Sequence, residues 1–305
     1  MKKETFLFAI DLDGTLLADS ANGAIHELTI EAIQRARDEG HIVCIITGRP
    51  WRATKSTYEK LGLDTIVGNY NGAHIHNPSD YDFNHYINYL NLNEIMYILG
   101  DEKLKAAKSN LAIEGPGWVQ LEKEDKDLAR VFGFNTASKL RIGIDIEKLP
   151  LKPTGIIFDT KEGVNVPELK DYLTRKYGDL AEFSSWSKGE GLTPVFDITG
   201  VGVQKSKVIS LLSRYYDVDI DNVVAFGDGY NDVSMFGVAG IGVAMANSSK
   251  DIQKEALVVT KKTNKEGGVG HFINHFLDNT EKEVARFAKI RKRKFERKEK
   301  ITPSH

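Results

Sequence analysis

The chain has almost no cysteine. Cys44 is the only one in 305 residues, so no intramolecular disulfide forms, and a reducing compartment such as the cytoplasm fits best. Set in the apolar run His41 to Ile46, it reads as a small core residue and not as a nucleophile. Long apolar runs are missing as well, and nothing approaches the ~20 residues of a membrane-spanning helix. Met1-Lys2-Lys3 followed by FLFAI starts like an export signal, but the stretch is short and Asp11 interrupts it. The eight histidines make no HExxH and no cluster with cysteine, which excludes the common zinc patterns. His74 and His76 alternate on an expected strand and read as structural. Internal repeats are also absent, as are low-complexity segments before the C-terminal tail. Hydrophobic content of 41%, 28% charged residues and a net charge of −2 describe an ordinary globular protein. A chain of this length buries an ample core and predicts two domains.

What is present begins at Phe6, where the chain reads FLFAIDLDGTLL. Five apolar residues make a short buried strand, and Asp11 and Asp13 follow at its end. Side chains two apart on extended backbone point the same way. Both carboxylates therefore face one spot at the mouth of a strand, where open parallel sheets place their ligands. Like charges held that close favour a proton or a cation between them. A nucleophile, a proton donor and a divalent metal are the parts of aspartyl-phosphate chemistry. The plain alternative is a strand ending in a solvated acidic turn. DxDG also opens a calcium loop, but the glutamate at that loop's twelfth position is missing.

Strand and helix then alternate. A helix is expected from Leu28 to Glu39, with Thr29 as N-cap and Gly40 just past its end. A second buried strand runs from His41 to Ile46. Pro50 opens another helix, which Gly62 ends, and a short strand covers Thr65 to Val67. This interleaving predicts an α/β fold with a parallel sheet. Residues 82–191 are less regular. A helix from Leu92 to Lys105, several strands and a helix from Val166 to Tyr177 suggest an inserted α+β domain with an antiparallel sheet. Glu114-Gly115-Pro116-Gly117-Trp118 reads first as an ordinary hairpin turn and second as a substrate-specificity loop. From Pro194 the α/β pattern resumes with a strand at Val195 to Ile198. The helix from Lys205 to Tyr216 carries Val208, Leu211, Leu212 and Tyr215 on one face. Buried strands follow at Asn222 to Phe226 and Gly240 to Met245.

Chemistry clusters at the ends of these elements. Thr47-Gly48-Arg49 ends the second strand and adjoins the helix at Pro50. A hydroxyl, free backbone N–H groups and a helix N-terminus suit a phosphate. Val203-Gln204-Lys205-Ser206-Lys207 opens a helix, and Gly227-Asp228-Gly229-Tyr230-Asn231-Asp232 follows the strand VVAF. In this order the four segments resemble motifs I to IV of the haloacid dehalogenase (HAD) superfamily: DxDGT, a Thr at the tip of strand two, VxKGxAL and GDxxND. Ser206 stands where the third motif has glycine, and Lys207 is a nearby competitor to Lys205. Asn71-Gly72-Ala73, Gly242 to Asn247 and Glu266-Gly267-Gly268-Val269 resemble further segments of the Cof-type hydrolases, subfamily IIB, which carry a C2 cap. Ala246 and Gly267 depart from that pattern. The match spans Phe6 to Ile75 and Pro194 to Phe276; over the insert only size and position agree.

The resemblance implies a Rossmann-like parallel-sheet core at 1–81 and 192–280, a C2-type cap at 82–191, and hinges near Pro78 to Asp82 and Lys188 to Leu192. It implies Asp11 as nucleophile and Asp13 as general acid and base. Thr47, Gly48, Lys205 and Asn231 would bind the substrate phosphate. Mg²⁺ would rest on the side chains of Asp11 and Asp228 and the main-chain oxygen of Asp13. Asp232 would hold a metal-bound water or orient Lys205, and Thr15 would hydrogen-bond near Asp13. The implied activity is a phosphatase for small phosphate monoesters such as sugar phosphates or phosphorylated cofactors. A phosphomutase of the same subfamily is the nearest alternative. A third reading is a non-catalytic binding protein with a basic tail. Residues 281–305 form that tail. Glu281 to Lys300 holds ten Lys/Arg and four Glu, a net of +6, which leaves −8 for the rest of the chain. It reads first as a frayed, solvated helix, and second as a surface for nucleic acid, anionic lipid or an acidic partner.

Overall fold

The computed structural model describes residues 4–186 and 192–301. Five parallel strands form the central sheet, in the order Val258–Val259, Ile241–Ala244, Val223–Gly227, Leu7–Ile10 and Ile42–Ile45. Leu7 lies opposite both Val223 and Ile42. Apolar runs without polar gaps are what a sheet covered on both faces requires. Alternate residues of the first strand serve opposite faces: Phe8 and Ile10 join Val43, Phe226, Ile273 and Phe276, whereas Leu7 and Ala9 join Cys44, Val208, Leu212 and Met235. Each fully buried Val, Leu, Ile, Phe or Met side chain among these contributes roughly 1.5–3 kcal/mol. Cys44 is part of that core, and burial pushes its thiol pKa up to about 12, so it stays protonated and inert.

The helices bury their apolar faces against this sheet. Glu27–Asp38 starts one residue earlier than expected, because the His26 side chain accepts a hydrogen bond from the Leu28 N–H and acts as the cap in place of Thr29. Pro50 precedes Trp51–Lys60 as its N-cap residue. Among the described residues, no helix is long and apolar enough to cross a membrane.

A second sheet has six strands, in the order Lys139–Ile142, Trp118–Leu121, Lys108–Gly115, Gly155–Thr160, Val195–Gly200 and Ala181–Trp186. It is antiparallel except for the parallel edge pair of Lys139–Ile142 with Trp118–Leu121. Two features differ from expectation. The strand Val195–Gly200, read as the start of the returning α/β pattern, lies inside this second sheet between Gly155–Thr160 and Ala181–Trp186. All its residues are buried, and such a strand reads alike in either sheet. The helix expected from Leu92 to Lys105 is broken into Leu92–Leu99 and Glu102–Ala107, because Asp101 caps the second piece by accepting from the Lys103 and Leu104 N–H groups. Gly115 pairs with Trp118, so the Pro116-Gly117 segment is the hairpin turn expected. Of the two expected hinges, Pro78 to Asp82 leads out of the strand His74–His76, whereas residues 188–191 lie outside the described residues.

The tail is not frayed over its described length. Thr280–Ile301 is one helix, and Phe287 is buried and stacks with Phe272 and Phe276. Arg291 donates to Asp221 and to the Gly240 carbonyl. Lys294 donates to the carbonyls of Lys254, Glu255 and Ala256, where a helix C-terminus offers unpaired acceptors and partial negative charge. Part of the basic character is thus spent on docking. Residues 302–305 lie outside the described residues.

Candidate active site

Asp11 sits one residue beyond the strand Leu7–Ile10, and its N–H donates to the Phe226 carbonyl of the neighbouring strand at 3.0 Å. That bond sets the two strand ends level. The chain then turns sharply at Gly14, whose φ is +69°. A Cβ at Gly14 would stand 2.1 Å from Asp228 Oδ2, so only glycine permits both the left-handed turn and the close approach. The turn is held by the Asn247 side-chain amide, which donates to the Gly14 carbonyl at 2.8 Å, and by that of Asn264, which donates to the Leu17 carbonyl at 2.8 Å.

Lys205, the first residue of the helix Lys205–Tyr215, is fully buried. Its Nζ donates to Asp11 Oδ1 and to Asp232 Oδ1, each at 2.6 Å. The Nζ of Lys207 lies instead by Gly202. The second oxygen of Asp232 accepts from the N–H groups of Asp228 and Gly229, both at 2.9 Å. Asp232 therefore spends both oxygens on Lys205 and on the loop. Thr15 Oγ1 donates to Asp228 Oδ1 at 3.2 Å, not near Asp13 as expected. Thr47 is fully buried, and its hydroxyl accepts from the Arg49 N–H at 3.1 Å. Gly48 lines the cleft. Asn231 donates to Asn71 Oδ1 at 3.1 Å, and Asn71 donates to Asp197 Oδ2 at 2.7 Å. Tyr70 and Asn71 adopt φ of +51° and +55°, a conformation that costs energy for a bulky residue.

Sequence reasoning passed over Arg49. It stands directly after Thr47-Gly48, but a single arginine there carries no signal of its partner. In the structure it grips Asp13 with both arms of its fork, Nε to Oδ2 at 2.7 Å and Nη2 to Oδ1 at 2.5 Å, and also donates to the Ser20 carbonyl at 2.8 Å. Arg52 was passed over too. It is buried against Glu114 from the second sheet, reaching Glu114 Oε2 as well as the Gly115 carbonyl and the Tyr70 hydroxyl. This pair joins the two sheets beside the site.

The electrostatics follow from that packing. Burial pushes the Asp11 carboxyl up to about 8 against the pull of Lys205, with Asp232 and Asp13 pushing the same way. Asp228 is raised well above the ordinary carboxylate range, first by burial and then by Asp232, Asp11 and Asp13. Burial works against the Lys205 ammonium, yet Asp11 and Asp232 outweigh it and hold its pKa above the usual lysine value. Four carboxyl groups (Asp11, Asp13, Asp228, Asp232) face two cations (Lys205, Arg49). With all four ionised, the excess of two negative charges matches one dication. One oxygen each from Asp11, Asp228 and Asp232 lies within 4.8 Å of the others, and with Asp232 already committed the ligand-ready carboxylates are Asp11 and Asp228. An all-oxygen donor set of this kind suits Mg²⁺.

Above these groups opens a cleft of about 690 Å³, lined by Asp11, Asp13, Gly48, Asp228 and Asn231 on one side and by Arg130 and Leu192 on the other. That is the size of a small-molecule site.

Residues 8–273 match the family described as haloacid dehalogenase-like hydrolase. The chain is similar to the Metamycoplasma hominis protein named "Putative phosphatase in upp 3'region", at 64% identity over 274 residues, covering 90% of this chain and 97% of that protein. It is also similar to the 5-amino-6-(5-phospho-D-ribitylamino)uracil phosphatase YitU of Bacillus subtilis strain 168, at 33% identity over 276 residues, covering 90% of this chain and 99% of the relative. A solved haloacid dehalogenase-like hydrolase from B. subtilis has the same fold, with a TM-score of 0.71 at 24% identity, covering 89% of this chain and 99% of that one.

Proposed function

This chain belongs to the haloacid dehalogenase-like hydrolases and is a phosphatase for phosphate monoesters; from that premise we propose that it works on small phosphorylated metabolites through an aspartyl-phosphate on Asp11. The observation that carries this reading is the convergence of Asp11, Lys205, Asp228 and Asp232, drawn from three distant segments, on one cleft floor.

In this reading Asp11 Oδ attacks phosphorus, the ester bond to the leaving alcohol breaks, and Asp13 supplies the alcohol's proton. Asp13 then takes a proton from the water that hydrolyses the acyl phosphate, releasing inorganic phosphate and restoring Asp11. Lys205, Thr47, the backbone at Gly48 and Asn231 position the phosphate oxygens and offset their charge. Mg²⁺, held by Asp11, Asp228 and the Asp13 carbonyl, would supply further electrostatic stabilisation of the transferring group. Arg49 adds a gate. It grips both oxygens of Asp13, and an incoming phosphate competes for the same guanidinium. Binding of the substrate thereby frees the Asp13 oxygens to face the leaving group.

The polar cleft with Arg130 at its cap-side wall suits a sugar phosphate or a phosphorylated cofactor or cofactor precursor. The ribityl phosphate named for the B. subtilis relative is of that kind and is a first candidate. We take residues 82 to about 202 as the cap, extending the boundary to include the strand Val195–Gly200. The single buried cysteine suits a cytoplasmic enzyme. A screen of phosphorylated metabolites, measuring inorganic phosphate with and without Mg²⁺, tests the reading. Release should depend on Mg²⁺ and be abolished by chelation. Transfer of phosphate within the substrate without release would replace it by the phosphomutase reading.

A further inference from the structure

His74 and His76 alternate along the strand His74–His76, so both rings leave the same face. The rings stack with centroids 4.2 Å apart and planes 3° from parallel. The next strand of this small sheet, Tyr86–Ile87, pairs antiparallel with them. His85 immediately precedes that strand, with ring centroids 5.8 Å from His74 and 5.5 Å from His76. One nitrogen from each of the three rings lies within 4.8 Å of the other two. His74 and His76 are each 4% exposed, whereas His85 is at the surface.

The surrounding hydrogen bonds decide where the protons sit. The Asn69 side-chain NH₂ donates to the Arg49 carbonyl at 2.9 Å and to Thr54 Oγ1 at 3.0 Å. Thr54 Oγ1 donates its own proton to the Pro50 carbonyl. Asn69 Oδ1 is therefore the atom that faces His76 Nε2 at 3.0 Å, and a carbonyl oxygen can only accept. His76 thus carries its proton on Nε2 and keeps a lone pair on Nδ1. His74 Nδ1 is buried and has no hydrogen-bond partner. Native structures seldom leave such an atom unpaired without a reason. Burial also lowers the pKa of His74 to about 4 and of His76 to about 3, so both rings are neutral at physiological pH.

We propose that His74, His76 and His85 form a second metal site, for a borderline transition-metal dication such as Zn²⁺, distinct from the carboxylate site. Three imidazoles with one position left to solvent is an established ligand set for zinc, and nitrogen donors exclude Mg²⁺ and Ca²⁺. Asn69 fixes the tautomer of one ligand from outside, as carbonyl partners of metal-bound histidines do. Ligand nitrogens around a tetrahedral ion stand about 3.3 Å apart, so binding rotates the stacked rings toward one point and draws in the exposed His85 ring. The ion would tie the strand that ends the first core segment to the segment leading into the second sheet. Through Asn69 it would also touch the carbonyl of Arg49, the residue that holds Asp13.

Cobalt is the probe. Untagged protein, stripped with a chelator and dialysed, is titrated with Co²⁺ in excess Mg²⁺, which occupies the oxygen donors. One equivalent should give the strong visible absorption of low-coordinate, nitrogen-ligated cobalt. His85→Ala removes only an exposed side chain and should weaken binding at least about tenfold; Asp228→Asn should leave the band intact. Zn²⁺ should displace the cobalt and raise the melting temperature of the unaltered chain but not of His85→Ala. No band in the unaltered chain, an unchanged band in His85→Ala, or a band lost only in Asp228→Asn would overturn the site. None of these outcomes depends on turnover, so they stand apart from the phosphatase assignment.

Discussion

At the scale of single residues the molecule concentrates unlike charges where water is excluded. Lys205 is the clearest case. A buried lysine without partners would lose its proton, yet Asp11 and Asp232 at 2.6 Å keep it charged. Asp11 and Asp13 stand two residues apart but meet different partners, Lys205 for one and Arg49 for the other. In the mechanism proposed above the two carboxylates have different tasks. On that reading Asp11→Asn removes the nucleophile and should abolish phosphate release. Asp13→Asn keeps the proposed nucleophile but removes the proposed acid, and should lower kcat by about 10²–10⁴-fold. Steady-state phosphate release checks both, with circular dichroism and melting to show that the fold is retained. Comparable residual rates in the two variants would contradict the division of labour.

Among the elements, the second sheet has a polar clamp of its own. Asp101 is buried, caps the helix Glu102–Ala107, and accepts from Lys176, Tyr177 and Tyr172 at 2.7, 2.8 and 2.9 Å. Burial alone would raise its pKa, but Lys176, Tyr177, the Leu104 N–H and Tyr172 together hold it below the ordinary carboxylate range. A depressed folded-state pKa means that the unfolded chain binds the proton first. The stabilisation is therefore complete above the unfolded value of about 4 and is lost as pH falls below it. Urea midpoints followed by tryptophan fluorescence, to which Trp118 buried in this sheet contributes, should drop between pH 5 and pH 3. Asp101→Asn should lower the midpoint at pH 5 and flatten that drop; an equal slope in the variant would rule Asp101 out as its source.

For the whole molecule, the question is what joins the two sheets. Arg52, on the helix Trp51–Lys60 of the central layer, and Glu114, on the strand Lys108–Gly115, are both buried and paired. Burial raises the Glu114 pKa against the pull of Arg52, so neither charge is comfortable alone. Arg52→Ala and Glu114→Ala should each cost about 3–5 kcal/mol, because each strands the opposite charge. The double variant should cost well below their sum. Urea unfolding of the four proteins closes the cycle, and strict additivity would show that the pair is not coupled.

Much was legible in the sequence because it is local. Apolar runs ending in carboxylates, a Thr-Gly before a proline, and GDGYND after a strand specify their own short structures and their order. That order determined a parallel α/β sheet with reactive groups at the strand ends, and a long insertion between the second and third motifs. The register VxK singled out Lys205, and its side chain does reach Asp11 across 194 residues of chain. What the tertiary structure alone decided is partnership between remote, individually unremarkable side chains. Arg49 on Asp13, Arg52 on Glu114, the arrival of His85 beside the alternating pair His74 and His76, and the basic helix docked through Phe287 and Lys294 follow from no periodicity and no fixed spacing. The strand Val195–Gly200 likewise found its sheet only in three dimensions, since a strand buried on both faces looks the same in either. Composition and pattern determine which surfaces must be covered; packing decides by whom.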